Sequence, residues 1–297
     1  MRYLIITTLL WAFSYSLIGE VLANSVDSYF AVLSRIVASG LIFVPLIKWK
    51  ESSFYFIFSM LSIGALQFGI TYICLYLSFH FLNVPEVLLF TIFTPMYVTL
   101  IEDALNSQFN SRALIAALIA ILGAFIIRYK HLSHHVLIGF FILQIANSAF
   151  AAGQISYKHL IAKYPSPLPE YRRFGYFYLG ALTIALPAFL LLGDTSKLPK
   201  TPVQWIVLAW LGFMASGLGF YLWNKGATIV RAEVLAVMNN AIIPVGIFIN
   251  FVLWKKNFNP YLLTIGGIII LISLFIAQNT TSCEKPVLKT KNKVSDT

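Results

Sequence analysis

The feature of this sequence that most constrains its fold is a long stretch without charge. Between Glu51 and Glu86 the chain contains no Asp, Glu, Lys or Arg. A surface helix of a soluble domain needs a polar face, and this stretch offers none. The rest of the chain is similar: 59% of its residues are hydrophobic and 11% are charged, whereas about a quarter are charged in soluble domains. We therefore predict an all-α, polytopic membrane protein.

Apolar segments recur along the chain at close to the roughly 20 residues that a helix needs to cross a bilayer. The ten predicted transmembrane helices are 3–22, 29–49, 54–80, 86–105, 112–128, 136–158, 171–192, 203–224, 232–254 and 261–278. Residues 279–297 are polar and basic, which is typical of a disordered tail. The predicted domains are one five-helix repeat over 1–135, a second over 136–278, and the tail over 279–297.

The two halves share an internal repeat. Segment 64–103 resembles segment 212–254, with Tyr72 on Tyr221 and Pro95 on Pro244 at the same offset of 149 residues. Five helices per half is an odd number, so the second half is predicted to be inverted relative to the first. Proline-interrupted apolar helices at matching places in two halves indicate a transporter binding site at the repeat interface.

The net charge of +10 is explained by membrane orientation. With the N-terminus in the cytoplasm, 14 Lys and Arg residues fall on the inner face and six on the outer face, and Arg35 remains within a helix. Positive residues accumulate on the cytoplasmic side of membrane proteins. We therefore predict that both termini, including the basic tail, are cytoplasmic, and that the protein has no nucleic-acid partner.

Polar side chains within the predicted helices indicate a solute site, because they are costly in hydrocarbon unless they face the bundle interior or water. Asn239 and Asn240 precede Pro244, and the repeat places Thr91 opposite Asn240. The predicted substrate-binding residues are Asn239, Asn240, Thr91, Asn147, Gln144, Gln67, Tyr72 and Tyr221. The alternative is that the amides and hydroxyls make interhelical hydrogen bonds, worth about 0.6 kcal/mol on average, and that the tyrosines fill the core.

Few ionisable residues fall within the predicted helices. Glu20 and Arg35 flank the same short hairpin, so we predict that they form a charge pair. Glu86 then remains as the candidate for proton coupling, with a helix-starting acid as the alternative. His131, His134 and His135 have no acidic neighbours in sequence, so no metal site is predicted.

Several short motifs carry a family resemblance. They are YLWNKGA at 221–227, AEV at 232–234, Pro244 and the glycine pair 266–267, with Leu10-Trp11 and Arg35 in the first half. Over roughly residues 3–278 the chain resembles the EamA-domain transporters of the drug/metabolite transporter (DMT) superfamily. The resemblance implies ten helices in a five-plus-five inverted repeat. It also implies secondary transport of small polar metabolites such as amino acids, amines or carboxylates, often by export.

The chain has no metalloprotease, serine-hydrolase, Walker or dinucleotide-binding motif, so we predict neither an enzyme nor a bound cofactor. We expect a monomeric or homodimeric transporter of the inner membrane that works by alternating access on a small-molecule solute, coupled to protons or a counter-solute. Uptake or exchange remains an alternative to export. Two alternatives from other classes are an intramembrane enzyme acting on a lipid-linked substrate and a non-transporting scaffold or receptor.

Overall fold

The computed structural model describes residues 1–107 and 134–255, together with Ile268, and these residues form helices and connecting turns without strands. Eight of the helices are long and apolar enough to cross a membrane. They are α1 (Arg2–Leu22), α2 (Ser28–Leu46), α3 (Phe54–Ser78), α4 (Val84–Leu105), α5 (His134–Lys163), α6 (Gly175–Leu192), α7 (Pro202–Ile229) and α8 (Ala232–Trp254). The chain is a multi-pass membrane protein. The predicted helices 112–128 and 261–278, the tail and His131 lie outside the described residues.

Helix starts are fixed by side chains that satisfy the first free backbone N–H groups. Asn83 and Glu86 form a capping box at the start of α4, and Thr201 and Gln204 form another at the start of α7. At α2 the Asp27 carboxylate accepts a hydrogen bond from a backbone N–H in the first turn. Each cap supplies a hydrogen-bond acceptor for a free N–H group of the first turn, and so fixes the residue at which the helix begins.

The two halves pack into a single bundle. Helix α1 contacts α7 and α8, and α2 contacts α6 and α7. Helix α3 packs against α5 and α6, while α4 packs against α5 and α8. Each described helix of the first half therefore has its main neighbours in the second half, and a space enclosed by the bundle is lined by both.

Helices α3 and α6 cross at two glycines that permit backbone contact. A Cβ atom at Gly64 would collide with the carbonyl group of Phe177, and one at Gly180 would collide with the carbonyl group of Leu61. Small residues let membrane helices approach this closely. Neither obstacle is the end of a flexible side chain, so the crossing can accommodate a methyl group only by moving a helix.

We expect Gly64→Ala or Gly180→Ala to lower the stability of the protein by about 1–3 kcal/mol, the usual cost of overpacking. The measurement is thermal unfolding of the purified protein in detergent. The matched control is Gly40→Ala in α2, where a Cβ atom would have its nearest neighbours at 3.8 and 3.9 Å. Equal stability of Gly64→Ala and Gly40→Ala would contradict the close crossing.

Irregular helical turns occur at related places in the two halves. Helix α3 contains a π-helical segment at Ala65–Ile70, and α7 contains one at Leu211–Leu218. The 149-residue offset maps the first segment onto positions that overlap the second. The proline-containing helices differ, because α4 breaks into a 3-10 turn at Thr91–Phe93, whereas α8 continues as α-helix through Pro244.

Candidate functional site

A cavity lies between six helices, α1, α3, α4, α5, α7 and α8. It leaves about 600 Å³ free between its side chains, including open space at its mouth. Its lining is mainly apolar and aromatic, with a few hydroxyls and carboxamides. The lining residues are Thr8, Trp11, Tyr15, Thr71, Tyr72, Leu75, Thr91, Thr94, Leu143, Ala146, Asn147, Phe150, Phe220, Trp223, Met238, Asn239 and Ile242. A concave, largely apolar space with a few polar groups is typical of a small-molecule site.

One polar wall is built by the break in α4. The N–H of Thr94 bonds to the carbonyl of Thr91, as in a 3-10 turn, so the helix is irregular next to the carbonyl oxygen of Phe90. That oxygen accepts hydrogen bonds from Asn147 Nδ2 at 3.0 Å and Gln144 Nε2 at 3.4 Å. These bonds join α5 to the irregular turn of α4 and hold Asn147 at the cavity surface.

A second polar part of the wall is centred on Asn239 of α8. Its Nδ2 donates to the carbonyl of Leu235 at 2.8 Å and to Gln154 Oε1 at 3.4 Å. The same Gln154 oxygen accepts from Trp223 Nε1 at 2.8 Å. Neither Asn147 Oδ1 nor Asn239 Oδ1 accepts a hydrogen bond within the described part of the chain. Both carboxamides line the cavity, so their oxygens are available acceptors for N–H groups of a solute.

Four rings form an aromatic cluster, defined as Trp11, Phe150, Phe220 and Trp223. Trp11 is the centre, with ring centroids 4.9 Å from Trp223, 5.2 Å from Phe220 and 5.5 Å from Phe150. Its indole N–H donates to the carbonyl of Ala215 at 2.8 Å. Both indole N–H groups are therefore occupied by the protein, and the cluster presents ring carbons to the cavity.

The structure brings together four of the eight predicted binding residues, namely Asn239, Asn147, Thr91 and Tyr72, at the cavity wall. Gln144 touches the site indirectly, because its Oε1 accepts from Asn147 Nδ2 at 3.2 Å. The other three predicted residues do not line the cavity.

Those three residues have other surroundings. Gln67 is fully buried close to Gly153, and neither of its carboxamide atoms has a hydrogen-bond partner among the described residues. Asn240 is buried beside Asn239 but is not part of the cavity lining. Tyr221 packs against aromatic rings of α2 and of the turn before α6, and accepts from Lys225 Nζ at 3.4 Å. The positions of these three residues in the sequence did not distinguish them from the residues that line the cavity.

Sequence reasoning missed the aromatic cluster as part of the site. Leu10-Trp11 and the 221–227 motif carried the family resemblance, and each contributes a tryptophan to the cluster. Phe150 and Phe220 gave no comparable signal, because the chain contains 25 phenylalanines and most positions look alike in sequence.

Arg35 of α2 is completely buried and bonds to three hydroxyl groups. Its Nε donates to Ser216 Oγ at 2.9 Å, and its two terminal nitrogens donate to the hydroxyls of Tyr72 and Tyr76 at 3.1 Å each. The sequence predicted Glu20 as its partner. Among the described residues, the guanidinium instead bonds to two phenols on α3 and a serine on α7.

Glu86 closes the capping box of α4. One of its carboxylate oxygens accepts from the N–H of Asn83 at 2.8 Å, and its own N–H donates to Asn83 Oδ1 at 3.0 Å. The side chain is 7% exposed. This is the arrangement of a helix-starting acid, and the geometry leaves a second role in coupling open to experiment.

His80 lies just beyond the end of α3 and shares a hydrogen bond of 2.9 Å with Ser28 Oγ. Burial lowers the pKa of the His80 imidazole, the Lys197 ammonium acts in the same direction, and Asp27 opposes them. These surroundings favour the neutral form of the imidazole. Its contact with Ser28 ties the end of α3 to the start of α2.

A match to a known protein family covers almost the whole chain. The sequence profile of the EamA-like transporter family matches residues 1–129 and 137–278. The chain belongs to the EamA-like transporter family. It is therefore a transporter and not an enzyme, which confirms the resemblance found in the sequence motifs.

Relatives of the chain cover nearly its whole length. A probable biotin transporter of Pseudomonas aeruginosa is 55% identical over 276 residues, covering 93% of this chain and 96% of the relative. Biotin transporters of Salmonella typhimurium and Escherichia coli K12 are 42% and 40% identical, each covering 93% of this chain and 92% of the relative. One crystal structure matches with a TM-score of 0.69 over 93% of this chain and 96% of its own. At 12% identity that likeness concerns the fold alone.

Proposed function

We propose that this protein is a secondary transporter of biotin, or of a closely similar cyclic urea with a carboxylate chain. It would work in the inner membrane by alternating access around the six-helix cavity. The observation that carries the proposal is the cavity lining, where the Asn147 and Asn239 carboxamides face the same space as the aromatic cluster. The three relatives named as biotin transporters support the choice of solute.

The chemistry of biotin fits this lining group by group. Its urea ring has two N–H donors, which need acceptors such as Asn147 Oδ1 and Asn239 Oδ1. Its fused thioether ring is apolar and matches the aromatic cluster, which contributes contact area and sulfur–aromatic contacts. Its chain ends in a carboxylate. Among the solute classes predicted from the sequence, this proposal keeps the carboxylates and drops the amino acids and amines.

The test is a counterflow measurement with purified protein in liposomes. Vesicles loaded with unlabelled biotin should accumulate labelled biotin from outside, and protein-free vesicles should not. Unlabelled amino acids and simple amines are expected to leave the signal unchanged when added in excess outside. Counterflow of an amino acid in the absence of biotin counterflow would overturn the proposal.

The direction of net transport follows from gradients, because an alternating-access cycle is reversible. The export predicted from the sequence, uptake and exchange are three operating modes of one cycle. Measuring net flux at defined biotin and proton gradients in the same vesicles distinguishes them. The oligomeric state, monomer or homodimer, is measured on the purified protein by light scattering.

The membrane orientation is part of the proposal. The 14-to-6 distribution of Lys and Arg supports cytoplasmic termini. The related π-helical segments Ala65–Ile70 and Leu211–Leu218 support an inverted five-plus-five repeat. Under this arrangement the turn before α3 is cytoplasmic and the turn before α7 is external.

We expect a single cysteine at Thr195 to react with an impermeant maleimide in intact cells, and one at Glu51 to react only after permeabilisation. Both positions are exposed at opposite ends of the bundle. The native Cys74 and Cys283 are first replaced by serine, and that cysteine-free protein is the control. Labelling of the Glu51→Cys variant in intact cells would contradict the predicted orientation.

A further inference from the structure

The proposed site does not account for the buried guanidinium of Arg35. It is 0% exposed, and its hydrogen-bond partners are the three neutral hydroxyls of Ser216, Tyr72 and Tyr76. No Asp or Glu in the described ranges is within ion-pair distance of it. An ionised group in a dry interior is unfavourable unless an opposite charge or strong hydrogen bonds compensate it.

One of these partners belongs to the cavity wall. Tyr72 lines the cavity, whereas Tyr76 and Ser216 do not. The guanidinium carbon of Arg35 lies 4.2 Å from the centroid of the Tyr72 ring and 5.8 Å from that of Tyr76. Arg35 is therefore separated from the cavity by a single side chain.

The hydroxyl of Tyr72 has an unused proton. It accepts a hydrogen bond from Arg35, so its own O–H must donate elsewhere, and no acceptor for it is found in the described residues. A phenol that accepts from a cation is a stronger donor, because the positive charge draws electron density from its oxygen. The acceptor it suits best is an anion, since hydrogen bonds to ionised groups are about twice as strong as neutral ones.

We propose that Tyr72 donates a hydrogen bond to the carboxylate of the solute, and that Arg35 is the positioning residue that supplies the positive charge behind it. The inference rests on the proposed function and adds an orientation to it. The carboxylate chain of biotin lies on the α3 side of the cavity, and the urea ring lies against Asn147 and Asn239. The site then selects an anion over a neutral analogue of the same shape.

The test compares biotin with biotinamide, which replaces the carboxylate by a neutral amide. Binding to the purified protein is measured by quenching of tryptophan fluorescence, since Trp11 and Trp223 line the cavity. We expect the wild type to bind biotin at least about tenfold more tightly than biotinamide, the value of one charge-assisted hydrogen bond. Arg35→Gln and Tyr72→Phe should each lose most of the preference for biotin over biotinamide. Arg35→Lys should keep part of the preference.

The matched control is Tyr76→Phe, which removes an equivalent hydrogen bond to Arg35 from a tyrosine outside the cavity lining. It should retain the preference for biotin. An unchanged preference in Tyr72→Phe, or an equal loss in Tyr76→Phe, would overturn the inference. If Arg35→Gln loses affinity for both ligands through misfolding, Tyr72→Phe decides. A wild type that binds biotin and biotinamide alike refutes only this inference, whereas a wild type that binds neither refutes the proposed function and the inference with it.

Discussion

Replacing Asn239 by alanine is expected to lower biotin counterflow by about 10- to 100-fold. The variant removes the Oδ1 acceptor for the solute and leaves Gln154 Oε1 with only its bond from Trp223. A solute N–H that is buried without an acceptor costs about 1–3 kcal/mol. Counterflow in liposomes at equal protein content gives the effect, and thermal unfolding shows whether the fold is retained.

The adjacent residue provides a matched comparison. Asn240 is on the same helix, is equally polar and is also buried, but it does not line the cavity. Asn240→Ala is therefore expected to cause a smaller loss of counterflow than Asn239→Ala. The sequence predicted that both residues bind the solute, whereas only Asn239 lines the cavity. The two variants therefore distinguish between these two hypotheses. A greater loss in Asn240→Ala would show that the assigned cavity wall is wrong.

Glu86→Gln is expected to abolish biotin accumulation driven by a proton gradient and to leave biotin counterflow intact. A glutamine can keep the capping box, because its amide oxygen accepts from the N–H of Asn83 as the carboxylate does. It cannot take up and release a proton, which coupling through this residue requires. The measurement is uptake of labelled biotin into liposomes with and without an imposed pH gradient.

The control for this experiment is Glu20→Gln, which removes the carboxylate of another predicted transmembrane helix. It should retain gradient-driven accumulation if Glu86 is the coupling residue. Wild-type accumulation by Glu86→Gln would show that this carboxylate only caps α4. Coupling would then have to run through another group, or transport would be plain exchange.

The sequence determined the class of the protein and the places of its helices. The charge-free run between Glu51 and Glu86 and the repeated apolar segments can be read directly from the sequence. The thickness of the bilayer sets the length of each transmembrane helix. Eight predicted helices are found in the described residues close to the expected boundaries. The start of α4 can also be predicted from the local sequence, because Asn83 and Glu86 are three residues apart. The side chain of each accepts a hydrogen bond from the backbone N–H of the other.

Four of the eight binding residues predicted from the sequence line the cavity. Helical spacing and burial cost selected Asn239, Asn147, Thr91 and Tyr72, which meet at the cavity. The sequence could not exclude Asn240, because consecutive residues on a helix differ by about 100° in direction. Which of the two faces the cavity depends on the rotation of α8 against its neighbours, and packing alone sets that rotation.

Only the tertiary structure decided how the prolines and the buried arginine are used. Pro95 and Pro244 occupy matching positions, yet α4 breaks and α8 does not. The carbonyl oxygen of Phe90, beside the break in α4, accepts hydrogen bonds from Gln144 and Asn147 of α5. Arg35 likewise bonds to hydroxyls 37, 41 and 181 residues away in sequence. Helix packing brings these partners together, within the first half for the two tyrosines and across the two halves for Ser216, and no local pattern in the chain encodes that proximity.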